Sequence, residues 1–142
     1  MAIDRPLRLV IDPNIIGSVL LGGVSRKRYL WLLDNLYQFD ICYSDQLLTE
    51  IRHFADVPFF QKKQLTSEVL ESFIDSFRSY CLKINVTSQV RLGRDSQDYY
   101  LLSLCRDARA AYLITGDPDL LTIGSYAQAQ IVSFKTFVEL YS

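Results

Sequence analysis

The fold is decided by the stretch Leu9-Val10-Ile11-Asp12-Pro13-Asn14, an apolar run that ends in an acid followed by a proline. A continuous apolar run fits a strand that is buried on both faces of a parallel sheet. The Asp-Pro pair then fits a helix start, with the aspartate as N-cap and the proline at the first helical position. The same order recurs in Leu113-Ile114-Thr115-Gly116-Asp117-Pro118-Asp119. Two such junctions predict an α/β fold with carboxylates at the carboxyl edge of its sheet, where these folds bind ligands.

Strand-like and helix-like segments alternate along the rest of the chain. We predict strands at residues 7–11, 39–43, 82–86, 111–115 and 131–134, the last at a sheet edge. Predicted helices cover residues 13–21, 25–36 with Ser25 as N-cap, 45–54, 66–80, 96–108, 118–123 and 135–140. The alternation predicts one three-layer α/β/α domain over residues 1–142, with a central, mostly parallel sheet of four to five strands. The first strand is expected at the centre, beside the fourth.

Composition limits the classes of function. The chain has 142 residues, 49% of them hydrophobic, which suits a compact globule. A net charge of −1 lacks the overall signature of a dedicated nucleic-acid binder. No apolar run approaches the roughly 18 residues of a membrane helix, and the polar start has no apolar signal core, so we expect a cytoplasmic protein that does not bind membranes. Three scattered cysteines and a single histidine, His53, do not suggest a zinc site.

Each junction aspartate, taken alone, is explained as a helix cap, but two other acids are not. Asp98 lies in register with the apolar residues of its helix, and Glu50 lies at the border of the apolar stripe of the helix at 45–54. A carboxylate turned toward the interior is costly unless it is paired or binds a metal. A site made of carboxylates favours a hard cation such as Mg²⁺ or Mn²⁺.

These motifs resemble those of the PIN-domain nucleases, most closely the short prokaryotic members that are toxins of toxin–antitoxin pairs. The resemblance covers nearly the whole chain and rests on four stretches, at residues 9–14, 44–51, 94–98 and 112–121. The last is the most specific. Position 13 departs from the pattern, because the family usually has threonine or serine where this chain has Pro13.

The resemblance implies a PIN-like fold and an endoribonuclease that uses Mg²⁺ or Mn²⁺ to hydrolyse single-stranded RNA. It makes four acids both catalytic and metal-binding: Asp12, Glu50, Asp98 and Asp117. Asp119 is a fifth expected metal-site residue, as a water-mediated ligand or a structural group of the first helical turn. Expected substrate-binding residues are Asn14, Arg91 and Arg94. The implied partners are RNA, an antitoxin protein and a second copy of the chain in a homodimer.

Several alternatives remain open from sequence. The chain can be a catalytically silent PIN-fold module that binds RNA or a protein, with its acids kept as caps. A phosphotransfer domain with Asp12 as nucleophile fits less well, because the common phosphatase version has a second aspartate at position 14, where this chain has asparagine. The basic cluster at residues 26–28 either borders the acidic cleft or is a solvated helix face. Tyr99 and Tyr100 either stack on bases or pack within the protein.

Overall fold

The computed structural model describes residues 5–90 and 99–142, with side chains from residue 100 onward in the second range. The elements follow the predicted alternation, and four of them have the predicted bounds. In chain order they are β1 (Leu7–Ile11), α1 (Pro13–Leu21), α2 (Gly23–Asp34), β2 (Phe39–Tyr43), α3 (Asp45–Arg52), a 3-10 turn (His53–Asp56), α4 (Pro58–Lys62), α5 (Ser67–Tyr80), β3 (Leu82–Lys83), α6 (Tyr99–Ala108), β4 (Tyr112–Ile114), α7 (Pro118–Ile123), β5 (Ser125–Tyr126), β6 (Ala129–Val132) and α8 (Phe134–Tyr141).

The sheet has the strand order β3-β2-β1-β4-β6-β5. Four of its five pairings are parallel, and the fifth joins β5 to β6 in an antiparallel hairpin. As predicted, β1 lies at the centre with β4 beside it. The connection from β1 leads to β2 on one side, whereas β4 continues the sheet on the other. The switch point of the sheet therefore lies between the carboxyl ends of β1 and β4, the place where open α/β sheets bind ligands.

The prediction of four to five strands was wrong, because the described residues form six. The additional strand, β5, is only two residues long, too short for a period-2 pattern to be visible in the sequence. Gly124, at a φ of +79°, ends α7 directly before β5, and the hairpin turn that follows β5 contains Ala127 at a φ of +52°. The strand that was predicted at the edge, β6, consequently lies inside the sheet between β4 and β5.

Several further boundaries differ from the prediction, most clearly those of α2 and β3. Helix α2 begins at Gly23 with Gly22 as its N-cap, so Ser25 is not the cap. Gly22 has a φ of +103°, which glycine adopts readily, and its N–H donates to Val19 O. This tight turn lets the Arg26 guanidinium donate to Val19 O and Leu20 O at 3.1 and 2.7 Å, so that α2 starts directly on the end of α1. Strand β3 is also shorter than predicted, ending at Lys83.

Buried aliphatic residues of β1, β2 and β4 form the centre of the core. Helices α1, α2, α3 and α5 contact one another in series, while α6 packs on β1, β4 and β5. Gly17 of α1 is required for close packing, because a Cβ atom there would lie 3.2 Å from the rings of Phe54 and Phe60. The result is the three-layer arrangement that the alternation predicted. Within the two described ranges, no helix has the length and apolar character needed to cross a bilayer.

Candidate functional site

The carboxyl ends of β1 and β4 bring two of the predicted site acids together. Ile11 of β1 is in register with Ile114 of β4, so Asp12 and Thr115 are the next residues on the two neighbouring strands. The Asp12 N–H donates to Ile114 O at 2.9 Å, which extends the ladder to the end of β1. The backbone of the central strand thereby fixes where the Asp12 carboxylate lies.

Asp12 is both the cap of α1 and a buried acid. Its side chain is only 4% exposed. Oδ1 accepts the Asn14 N–H at 3.0 Å, the N-cap interaction expected of an aspartate before proline. Oδ2 accepts the hydroxyl of Thr115 at 2.7 Å. Capping and a second, long-range hydrogen bond therefore hold the carboxylate in one orientation.

Thr115 connects Asp12 to the second acid, Asp117. The Thr115 hydroxyl is fully buried, and it accepts the Asp117 N–H at 3.0 Å while it donates to Asp12. Asp117 in turn caps α7, since its Oδ1 accepts the Asp119 N–H at 2.9 Å. Asp117 is half-buried. The Thr115 hydroxyl therefore contacts both acidic turns, through the carboxylate of Asp12 and the backbone N–H of Asp117.

Burial and charge act against ionisation of Asp12. Burial is the largest influence and raises the pKa of this carboxyl group above its ordinary value of 3.8, and the negative charge of Asp117 raises it further. Hydrogen bonds from the Asn14 N–H and the Thr115 hydroxyl lower the pKa in part. A cation between the two carboxylates would offset both the desolvation and the repulsion. Two carboxylates also fit the chemistry of Mg²⁺, which takes one or two such ligands and completes its shell with water and phosphate.

The described residues include three further predicted site residues, Glu50, Asn14 and Asp119. Glu50 is half-buried on α3, as its place at the edge of the apolar stripe predicted, and its Oε1 accepts the Gln46 side-chain amide at 3.1 Å. Across the described ranges, no three His, Cys, Asp or Glu side chains form a group able to hold a metal ion. Asp98, Arg91 and Arg94 lie outside the described residues.

Asn14 and Asp119 border the acidic pair through their backbones. Each donates its N–H to the carboxylate of the preceding cap, and each is exposed in the first turn of its helix. In the basic cluster at 26–28, the Arg26 guanidinium is used to bind the last carbonyls of α1. Lys27 is exposed.

Thr115 is the residue in contact with both acidic turns that sequence reasoning missed. In the fourth motif it was the last residue of a predicted strand, and no neighbouring residue in the sequence indicated that its hydroxyl would bond to Asp12. The available signal was its position, one residue beyond a strand expected to lie beside β1. Pro13 removes a hydroxyl next to Asp12 in sequence, whereas the hydroxyl that contacts this carboxylate comes from Thr115.

Comparison with known proteins agrees with this architecture. No curated protein matches the chain in sequence. Among solved structures, the chain resembles the crystal structure of VapBC2 from Rickettsia felis bound to a DNA fragment from their promoter, with a TM-score of 0.60. That match covers 88% of this chain and 98% of the other at 16% sequence identity, so it concerns the fold. The family model of the PIN domain matches residues 8–119, a range that contains both acidic turns and the whole switch point. The chain belongs to the PIN domain family.

Proposed function

We propose that this protein is a divalent-metal-dependent endoribonuclease that hydrolyses phosphodiester bonds of single-stranded RNA. The observation that carries the proposal is the placement of two aspartates at the switch point, where the buried Thr115 hydroxyl bonds both the Asp12 carboxylate and the Asp117 backbone N–H. Membership of the PIN domain family supports a nuclease activity. The pair also accounts for the choice of cofactor, because hard cations prefer carboxylate oxygens.

Capping does not use up the ligand capacity of these acids. A carboxylate offers about four lone-pair sites, and from the described part of the chain Asp12 accepts one hydrogen bond at each oxygen. Asp117 accepts the Asp119 N–H through Oδ1. Both side chains therefore keep lone pairs for a cation while their hydrogen bonds hold them still. When bound, Mg²⁺ or Mn²⁺ would lower the pKa of a water molecule and offset charge on the leaving oxygen.

The chain's own residues have separate tasks in this mechanism. Asp12 and Asp117 would hold the cation, and Thr115 would fix their relative position through its hydrogen bonds to both turns, as outer-shell hydrogen bonds do in metal sites. Glu50 and Asp98 are proposed to complete the site or to orient the attacking water. Asp119 is proposed as a water-mediated contact. Asn14, Arg91 and Arg94 are proposed to bind the RNA, whose phosphates attract guanidinium groups.

A toxin role in a toxin–antitoxin pair follows as part of the same proposal. It is supported by the structural likeness to VapBC2 of Rickettsia felis, a complex bound to a fragment of promoter DNA. A cognate antitoxin, assembly of the chain as a homodimer and a cytoplasmic location belong to this proposal as well. Co-expression with the product of an adjacent open reading frame, followed by co-purification, tests the antitoxin.

The activity is tested by incubating a mixed single-stranded RNA pool with the protein and Mg²⁺, Mn²⁺ or EDTA. We expect cleavage with either ion, none in EDTA, and losses of at least the ~10–100-fold typical of outer-shell changes in Asp12→Asn and Asp117→Asn. Asp34→Asn, an exposed acid at the end of α2, is the matched control and should cleave normally. Cleavage that persists in EDTA or in both site variants would overturn the proposal.

A silent PIN-fold module is the second candidate, and one observation favours it: both aspartates do act as helix caps. A module of this kind would bind RNA without cleaving it and would not be stabilised by Mn²⁺. The phosphotransfer alternative stays the weaker one on sequence grounds, because position 14 is an asparagine where the common phosphatase version has a second aspartate.

A further inference from the structure

A pocket of about 270 Å³ opens at the carboxyl edge of the sheet, on the β2 and β3 side of Asp12. Strand register gives its position. Val10 pairs with Cys42 and Cys42 with Leu82, so the residues at the level of Asp12 are Ser44 after β2 and Ile84 after β3. Both line the pocket. Because neighbouring strands lie roughly 4.8 Å apart, the pocket begins one strand away from Asp12 and extends to the second.

We propose that this pocket binds the base of the nucleotide next to the scissile phosphate. The inference rests on the proposed ribonuclease function and adds a determinant of sequence preference to it. A phosphate held between Asp12 and Asp117 would lie about two strand spacings, roughly 10 Å, from the middle of the pocket, a span that one neighbouring nucleotide can cross. An unstacked base of single-stranded RNA can be turned into such a site.

The side chains that line the pocket match a base better than a phosphate. Gln46 and Asn85 carry amide groups, each with a donor and an acceptor, as the edge of a base requires. Ile84 and the ring of Tyr100 supply the apolar and aromatic surface on which bases pack. Asp45 supplies a carboxylate, which repels phosphate.

The same carboxylate implies a preference among bases. An ionised aspartate only accepts hydrogen bonds, and it pairs well with an exocyclic amine such as that of cytosine. Adenine and guanine also carry an exocyclic amine, whereas uracil does not. We therefore expect the pocket to disfavour uracil. Lys83 Nζ lies 3.4 Å from Asp45 Oδ1, but both side chains are largely exposed, so the carboxylate stays accessible to a base.

The pocket is also connected to the proposed catalytic machinery. The Gln46 side-chain amide donates to Glu50 Oε1 at 3.1 Å, one turn along α3. The Ser44 hydroxyl, which is buried, caps α3 by accepting the Leu47 N–H at 3.2 Å. The first residues of α3, which line the pocket, are thus held in place by this cap. A base that contacts Gln46 would lie next to Glu50, a predicted site acid.

The test separates binding from cleavage. Binding is measured in EDTA by fluorescence anisotropy, with oligouridylate and with the same oligomer carrying one central cytidine. We expect at least ~5-fold tighter binding of the cytidine oligomer, the lower end of the discrimination given by a good base contact. Asp45→Asn should reduce this ratio to within about twofold, and Asn85→Ala should reduce it through a different contact. Asp34→Asn should leave it unchanged.

Each outcome distinguishes the inference from the proposed function. If the wild type discriminates in EDTA but does not cleave with Mg²⁺ or Mn²⁺, the base pocket stands and the ribonuclease proposal fails. If the wild type cleaves, yet binds the two oligomers equally, the pocket inference is overturned. It is also overturned if discrimination persists undiminished in both folded variants. With both proposals correct, mapped cuts should lie next to amine-bearing bases and shift in Asp45→Asn.

Discussion

The two Asp-Pro turns of this protein have the same local design but different surroundings. In each, an aspartate after a parallel strand caps a helix whose first residue is proline. Asp12 directly follows the central strand, is 4% exposed and accepts a hydrogen bond at each oxygen. Asp117 lies three residues beyond the end of β4, after the exposed Gly116, and is only half-buried. Local sequence therefore makes the caps, while position in the sheet decides which cap becomes a buried acid.

Metal binding is the largest expected effect, and it tests whether the two turns act together. Saturating Mn²⁺ at a hundred times its Kd should stabilise the wild type by about 2.7 kcal/mol, or roughly 5–10 °C in Tm. Asp12→Asn and Asp117→Asn should each abolish this rise, because both carboxylates hold the ion. The apo variants should be at least as stable as the wild type, since asparagine can still cap and the mutual repulsion is gone. Thermal melts with and without Mn²⁺ measure both quantities.

The rise in Tm with Mn²⁺ can survive in Asp117→Asn but not in Asp12→Asn. That result would make the Asp12 turn the metal site and the Asp117 turn a simple helix cap. Two variants that are both less stable without metal, together with no Mn²⁺ effect in the wild type, would instead favour the silent module.

Thr115→Val tests the connection between the turns and should have the next largest effect. Valine keeps the shape but leaves the Asp117 N–H and Asp12 Oδ2 without the hydroxyl partner, at a cost of about 1–3 kcal/mol in unfolding free energy. Affinity for Mn²⁺ should fall by about 10–100-fold, as for other outer-shell partners. Urea unfolding and a Mn²⁺ titration measure the two effects.

Thr122→Val is the matched control, because its exposed hydroxyl donates to Pro118 O within α7. Its free energy of unfolding should change by less than about 0.5 kcal/mol. Equal effects of the two substitutions would show that the buried hydroxyl has no special role.

The same contrast explains how far sequence reasoning reached. Strand and cap chemistry is local, so the bounds of β1, α1, β2 and α7 could be read directly from the Asp-Pro turns and the apolar runs. Strand β5 could not, because two residues carry no period. The Thr115–Asp12 contact joins residues 103 apart, and only the pairing of β1 with β4 creates it. The roles of Glu50 and Asp98 stay predictions for the same reason, since they depend on tertiary placement.

At the Asp117 turn, we expect loss of the helix cap alone to lower the free energy of unfolding by about 1 kcal/mol. Asp117→Asn keeps an oxygen that accepts the Asp119 N–H, whereas Asp117→Ala removes it. The alanine variant should therefore be less stable than the asparagine variant by about the value of an N-cap. Urea unfolding in EDTA isolates this difference from metal binding. If the two variants unfold alike, the contact between Asp117 and Asp119 does not stabilise α7.

The pH dependence of the buried turn is the smallest expected effect, and its sign is fixed by the direction of the pKa shift. Burial, and secondarily Asp117, raise the pKa of Asp12 above 3.8, so the folded apo protein holds a proton that the unfolded chain has released. The stabilisation from this group is complete below about pH 3.8 and is lost as the pH rises through the folded value. Relative to Asp12→Asn, which cannot titrate there, the wild type should therefore lose stability with rising pH in EDTA. Asp117→Asn should keep a weaker form of this slope, because burial remains after the neighbouring charge is removed. Urea unfolding of the three proteins between pH 3.5 and 7 measures this slope. A stability difference between wild type and Asp12→Asn that is constant, or that grows in favour of the wild type as the pH rises, would contradict a raised pKa of Asp12.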